Sequence, residues 1–286
     1  MSASLEIVRA GSLTTIQDCG RPGLAHLAVG ASGALDMPAH RLANRLVGND
    51  EAAATLETTL DGVAVRATHR CHAAVTGAVA PITRDDRGVG WSVPIPLHPG
   101  QILNVGRATH GVRCYLAVSG GIDTPPTLGS RSTDLLSGLG SAPLHDAEVL
   151  PIGTQTNPAA LIDFAPYPLP AQGILRLPLH WGPRSDWITT ASLRQLASTT
   201  WTVTADSNRV GMRLEGPAQQ RSITTELPSE GVVLGALQIP ADGRPVVFLA
   251  DHPTTGGYPV IAVIPPPQIW RCAQAAPGTS IQFSPR

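Results

Sequence analysis

The sequence predicts a mainly β protein of sandwich or barrel type with a few short helices, and three observations carry that expectation. Apolar runs of four to eight residues, rich in Val, Ile and Leu, succeed one another and are each ended by Gly, Pro, Asn or Asp. Turn chemistry is dense: Gly 29 and Pro 27 approach a fifth of the chain without a repeat period, and the apolar runs between them argue for closely spaced turns rather than disorder. Helical periodicity is rare. At 286 residues the chain is long for one ordinary domain and suits two, each able to bury a core.

Taken in chain order, the first helix is expected in "DMPAHRLANRLVGN". There Met37, Leu42, Ala43, Leu46 and Val47 recur at spacings of three to five, Asp36 can cap the start and Gly48 can end it. The stretch "QILNVGRATHGVRCYLAVSGG" reads as an antiparallel hairpin turning around His110 and Gly111. Between Gly153 and Gly173 a Pro-rich segment without a clear period reads as a linker over 154–172, which places β domains at 1–153 and 173–286. A second, shorter helix is expected at Thr189–Ser198, "TTASLRQLAS". In "GALQIPADGRPVVFLAD", Asp242 and Gly243 stand between two apolar runs, a second hairpin.

Composition narrows the functions. Hydrophobic residues make up 42% and charged residues 14%, against roughly 25% charged in an average soluble protein. With a net charge of -1 and no basic run, the chain lacks the electrostatic footprint that nucleic acid or an anionic bilayer demands, which leaves proteins and small molecules as partners. So sparse a charge also predicts nonpolar surface that a partner protein covers. All twenty basic residues are Arg, and the absence of Lys excludes a Walker A phosphate loop, a Schiff-base enzyme and a biotin attachment site on this chain. Any phosphate is then held by Arg forks, backbone N–H groups and hydroxyls. Cys19, Cys71, Cys114 and Cys272 lie far apart without a C-x-x-C pair, which fits structural thiols in a reducing cytoplasm. "MSASLEIVRAGSLTTIQD" does not read as a secretory signal, and no apolar run approaches the ~18 residues of a membrane span.

No G-x-S-x-G elbow, H-E-x-x-H or strand-following G-x-G-x-x-G occurs. "HRCH", with His69, Cys71 and His72, sits in an alternating segment that points its side chains to opposite faces, so no metal site is expected there. Three blocks instead concentrate small and polar residues. The first, Gly11–Asp36, carries Thr14, Thr15, Gln17, Asp18, Arg21, Ser32 and Asp36. The second, Tyr115–Asp134, offers Gly129, Ser130, Arg131, Ser132 and Thr133 within five residues. The third ends in "FLADHPTTGGYPVIAVI", where Asp251, Thr254, Thr255, Gly256, Gly257 and Tyr258 interrupt two apolar runs. Each block alone has an ordinary explanation as turn chemistry and helix capping. Together, as loops on a rigid β scaffold, they are candidates for an anion-binding site.

From about Val8 to Phe283 these blocks, with "SNRVGMRLEGP" and "CAQAAPGTSIQF", resemble the successive blocks of the family called 5-oxoprolinase C subunit or allophanate hydrolase subunit 2, the KipA type, the second half of a biotin-dependent carboxyltransferase domain. The resemblance implies a cyclophilin-like β-barrel architecture and a partner of related fold, the B subunit or KipI type. With a further A subunit, it implies ATP-driven opening of 5-oxoproline to glutamate. ATP with Mg²⁺ would be shared with the partner. By carry-over the site would comprise Gln17, Asp18 and Arg21, then Ser130, Arg131 and Thr133, then Asp251, Thr254, Thr255 and Tyr258. Arg21 and Arg131 would face anionic oxygens, Asp18 or Asp251 a metal or a substrate amide, and Gly256 with Gly257 would allow close backbone approach. Asn208 and Met212 stand where the family usually has Asp and Tyr, and the Arg that usually precedes Pro277 is missing; that hairpin reads as structural. Two alternatives stand beside the first reading. One is a carboxyltransferase-like component of a urea or amide carboxylation system that uses biotin carried on another protein. The other is a non-enzymatic regulator of a histidine kinase.

Overall fold

A computed structural model describes residues 3–154, 157–169 and 173–286. The chain forms two compact units, the first comprising Met1–Arg21, Ser32–Asp134 and Gly138–Pro170, the second Pro22–Ala31, Leu135–Ser137 and Ala171–Arg286. Two short segments of the N-terminal half thus belong to the C-terminal unit. Of the expected linker, residues 155, 156 and 170–172 lie outside the described residues. Residues 157–169 carry no helix or strand, yet Ala165 and Tyr167 are buried in a core cluster of the first unit.

The first unit is built on two antiparallel sheets. Six strands run in the order Val149–Pro151, Ser4–Arg9, Ala64–Ala67, Ile102–Val105, Ile82–Arg84, Arg87–Gly88. Five run in the order Thr14–Gln17, Thr55–Thr59, His110–Val118, Cys71–Val79, Ile95–Leu97. Alternation places Leu5, Ile7, Val65, Leu103 and Val105 of one sheet and Ile16, Leu56, Val75, Leu116 and Val118 of the other in a single core. Each such side chain, fully buried, contributes roughly 1.5–3 kcal/mol.

The five-stranded sheet is buried on its second face as well. Helix α1, Met37–Leu46, packs Ala39, Ala43 and Leu46 against Ala74, Tyr115 and Ala117. The same sheet carries Thr15, Gln17, Thr55 and Glu57, all at most 1% exposed, so this layer is partly polar and every group in it needs a hydrogen-bond partner. The cap expected for the helix is present: Asp36 Oδ1 accepts from Ala39 N at 3.1 Å, and Gly48 follows with a φ of +77°.

One expected element is corrected. Ile102–Val105 and His110–Val118 do not form a hairpin; they belong to different sheets. The connecting N–H groups go elsewhere: Gly106 donates to Pro81 O, Ala108 to Leu60 O and Thr109 to Val79 O. Gly111 lies inside the second strand, at an irregularity in its pairing with Cys71–Val79. Two apolar runs with a short connection satisfy a hairpin and a crossing between sheets equally well, and the choice lay with these distant carbonyls.

The second unit is a closed barrel in the order Leu175–Trp181, Val260–Val263, Ala236–Gln238, Val246–Phe248, Gly211–Glu215, Trp201–Val203, Ser280–Pro285. Its pairs are antiparallel apart from the parallel closure between Leu175–Trp181 and Ser280–Pro285. Leu175, Leu177 and Leu179 are buried while Arg176 and His180 are exposed, the alternation of a barrel filled by side chains. The hairpin expected around Asp242 and Gly243 pairs Leu237 with Val247. Helix α2, Thr190–Ser198, starts on Thr189, whose Oγ1 accepts from Ser192 N at 3.1 Å. Helix α3, Ile269–Ala273, was not anticipated; five residues after three prolines are too few to display a period.

Candidate functional site

The first two polar blocks meet in the first unit. Thr14–Gln17 is an edge strand of the five-stranded sheet, and the loop 130–133 runs along its open side, with Thr133 N donating to Ile16 O at 2.9 Å. That covers an edge otherwise open to another strand. The organising group is Asp18, buried at the end of the strand. Its Oδ1 accepts from Gly20 N at 2.8 Å and from the Ser130 and Ser132 hydroxyls at 2.6 Å each, and its Oδ2 accepts from Arg131 N at 2.6 Å. Ser132 Oγ in turn accepts from Asp18 N at 2.9 Å. Four donors on one carboxylate lock the two blocks together.

Arg21 is 2% exposed. Its Nη2 donates to Ser132 O and its Nε to Thr127 O at 3.4 Å. Its Nη1 has no hydrogen-bond partner, and no ion pair is made by Arg21 among the described residues. Gly140, with a φ of +84°, passes so close that a Cβ would overlap Ser132 O and touch Arg21 Nη2. Two further buried atoms of the same loop and strand lack partners, Gln17 Oε1 and Thr133 Oγ1. Buried polar atoms without partners are costly, and these three lie on neighbouring segments, one of them cationic.

The same sheet carries a buried polar network in which His40 Nε2 and Arg113 Nε also lack a hydrogen-bond partner. Glu57 Oε2 accepts from Leu35 N at 3.0 Å and from Tyr115 OH at 2.6 Å; Arg113 Nε stands 3.6 Å from Glu57 Oε1. Tyr167 OH donates to the Asp36 carboxylate at 2.6 Å. Burial first, and the neighbouring carboxylates second, push both phenols well above their ordinary range. His40 is fully buried, with Nδ1 2.9 Å from Thr55 Oγ1, and burial lowers its imidazole from 6.5 to about 4. Glu57, Arg113 and His40 had no sequence signal; only the burial of such polar side chains singles them out.

Other expected site residues have structural partners. Arg131 offers Asp18 its backbone N–H, while its guanidinium pairs with Asp123 at 2.5 Å and Thr124 O at 2.7 Å. In the second unit Asp251 is held by Arg209, Nε to Oδ2 at 2.8 Å and Nη2 to Oδ1 at 2.9 Å, with the pair at most 1% exposed; Leu135 N also donates to it at 3.1 Å. Arg209 was missed because its block reads as a turn. Asn208 does make that turn, its Oδ1 accepting from Val210 N and Gly211 N at 2.8 and 3.2 Å, and Met212 is buried. Thr255–Gly256 pairs with Glu230–Gly231 as a short ribbon. Thr254 is half-buried and lends its carbonyl to Val232 N. Gly257 is exposed, and the Tyr258 ring lies 5.6 Å from the Arg221 guanidinium.

Neither Asp18 nor Asp251 fits a Mg²⁺ ion, because each carboxylate already has both oxygens committed to strong donors. Among the described residues no group of three or more His, Cys, Asp or Glu is placed to hold a metal. No helix among them is long and apolar enough to cross a membrane.

The family profile "Carboxyltransferase domain, subdomain A and B" matches residues 27–285. The chain belongs to this carboxyltransferase-domain family. The 5-oxoprolinase C subunit of Escherichia coli (strain K12) is 40% identical over 282 residues, 98% of this chain and 90% of that protein, an overlap that reaches the Gln17–Arg21 block. Urea amidolyase of Saccharomyces cerevisiae is 33% identical over 99% of this chain but only 16% of its own length. Among solved structures, the K. lactis urea amidolyase superposes with a TM-score of 0.93 at 31% identity, covering 99% of this chain and 19% of that one. The carboxyltransferase-domain fold is therefore used both as a separate chain and as one segment of a longer protein.

Proposed function

We propose that this carboxyltransferase-domain chain is the C subunit of an ATP-dependent 5-oxoprolinase that opens 5-oxoproline to L-glutamate, working with a B subunit (KipI type) and an A subunit. The observation that carries the reading is Arg21, a buried guanidinium with a free Nη1 and no carboxylate among its partners. A buried cation without a counter-charge is strongly unfavourable unless an anionic or strongly polarised oxygen arrives to meet it. The ring amide is inert because its nitrogen stabilises the carbonyl. Opening it needs charge drawn onto the oxygen while water's oxygen bonds to the carbon, the C–N bond breaks and water's proton passes to the departing nitrogen, and a guanidinium held in a dry site lowers that barrier.

Asp18 positions this donor; it neither binds metal nor takes a proton in the proposal. Its clamp on Ser130, Arg131 and Ser132 holds Ser132 O against Arg21. ATP with Mg²⁺, shared with the partner subunit, would supply the driving force. This fits an absence of Lys and two saturated aspartates here. Support for the substrate comes from the Escherichia coli relative, which aligns over nearly the whole of both chains.

The test is ADP release by the chain copurified with its two neighbours, with and without 5-oxoproline. Release should depend on 5-oxoproline, and Arg21→Met should lower kcat/KM by about a hundredfold or more, on the order of 3 kcal/mol, while melting within a few degrees of wild type. Arg21→Met that turns over normally per folded molecule but melts far lower refutes the site. The urea amidolyase relatives favour a second reading, carboxylation of urea with biotin on another protein. Turnover of urea and bicarbonate with a biotin carrier, and none of 5-oxoproline, would select it.

A further inference from the structure

Gln17 is wholly buried, and its neighbours decide which way its amide points. Its Nε2 donates to Thr133 O at 2.9 Å and to Thr15 Oγ1 at 3.0 Å. Turning the amide over would set Oε1 against Thr133 O, two acceptors with no proton between them, so Nε2 must face the loop. Oε1 is then a buried acceptor without a donor. Arg21 Nη1 and Thr133 Oγ1 are in the same condition, and the three residues are tied together through Ser132 O, Thr133 O and the backbone between them.

The set contains one pure acceptor, one cationic donor and one hydroxyl, which restricts what can satisfy it. A carboxylate or phosphate meets Arg21 but carries no N–H for Gln17, and its negative charge is repelled by Oε1. An ester supplies only acceptors, and an alcohol, whose O–H can donate to Oε1, has no carbonyl oxygen for Arg21 to polarise. An amide presents an N–H and a carbonyl oxygen on adjacent atoms, one for Gln17 Oε1 and one for Arg21 Nη1, and leaves Thr133 Oγ1 for a further polar group. We infer that Gln17 is the specificity-determining residue of this site, its Oε1 accepting a hydrogen bond from the N–H of a small amide substrate whose oxygen faces Arg21. This rests on the amide-opening reading above and adds how the amide is told from its oxygen analogue: a lactone turns a lone pair toward Oε1 where the lactam turns a proton. A buried group that must be matched rejects the mismatched analogue far more strongly than a hydrophobic contact does.

Isothermal titration of the assembled complex without ATP tests the inference, with 5-oxoproline, its ring-oxygen analogue and its N-methyl analogue as ligands. Wild type should prefer the lactam over both by about a hundredfold or more. Gln17→Leu, or Gln17→Met where Leu does not fit, should bring lactam and lactone within about threefold of each other. Thr15→Val, which removes only a partner of Nε2, should keep the preference. A wild-type complex that does not distinguish the three ligands overturns the inference, and so does a Gln17→Leu complex that still does, since Oε1 is then met by water alone. Should the complex neither bind nor turn over 5-oxoproline, the 5-oxoprolinase reading fails by itself. The same comparison made with 2-pyrrolidone and its lactone counterpart then decides the role of Gln17: a preference lost in Gln17→Leu sustains it, and no preference in wild type ends it.

Discussion

Asp18→Asn isolates the clamp from the chemistry. The carboxylate accepts four hydrogen bonds, three at Oδ1 and one at Oδ2. Asparagine retains one acceptor oxygen. Its least costly placement keeps the oxygen toward Gly20 N, Ser130 and Ser132 and turns NH₂ toward the Arg131 N–H, so that two donors face each other. One charge-assisted bond is lost, about 1.5–3 kcal/mol, and a buried N–H is left unmatched, about 1–3 kcal/mol. The three remaining bonds weaken as the acceptor loses its charge. A loss of at least about 3 kcal/mol follows, and at ~2–4 °C per kcal/mol for a domain of this size the first unit should melt roughly 6–12 °C lower. Scanning calorimetry of the purified chain measures it. Ser130→Ala should cost less in the Asp18→Asn background than in wild type, because the two share one network. An Asp18→Asn protein that melts within about 2 °C of wild type and has lost activity in the complex would refute the clamp and return Asp18 to the chemistry.

Three further outcomes follow from buried groups and one exposed glycine. Arg209→Met strands the Asp251 carboxylate in the barrel and should cost about 3–5 kcal/mol in denaturant unfolding, whereas Arg209→Met with Asp251→Leu should recover most of it; a single variant costing under about 1 kcal/mol contradicts the pair. His40 takes up a proton near pH 6.5 unfolded but only near 4 folded. Stability is therefore full above pH 6.5 and is lost as pH falls toward 4, by up to about 3 kcal/mol, and His40→Gln should flatten that profile; an equally steep one excludes His40 as its source. At Gly257 an added Cβ would meet nothing nearer than Leu227 O at 3.7 Å. Gly257→Ala should thus melt within about 2 °C of wild type. A tenfold rise in KM for ATP or 5-oxoproline would assign the loop to a ligand, and unchanged kinetics would remove it from the site.

Much of the fold was legible because its signals are local. The cap at Asp36, the short helix within Thr189–Ser198 and the turn at Asp242–Gly243 each depend on residues within a few positions. Composition by itself excluded lysine chemistry, and block order by itself carried the family. The tertiary structure decided what those residues are for. Asp18 meets Ser130 across 112 positions, and Arg209 meets Asp251 across 42, and no local pattern states that both aspartates are saturated. The strand at His110–Val118 joined a different sheet from its sequence neighbour because distant carbonyls took the connecting N–H groups. A side chain left without a partner, as at Gln17 Oε1 and Arg21 Nη1, is visible only once every competing donor and acceptor has a place, since hydrogen-bond satisfaction is a property of the packed whole.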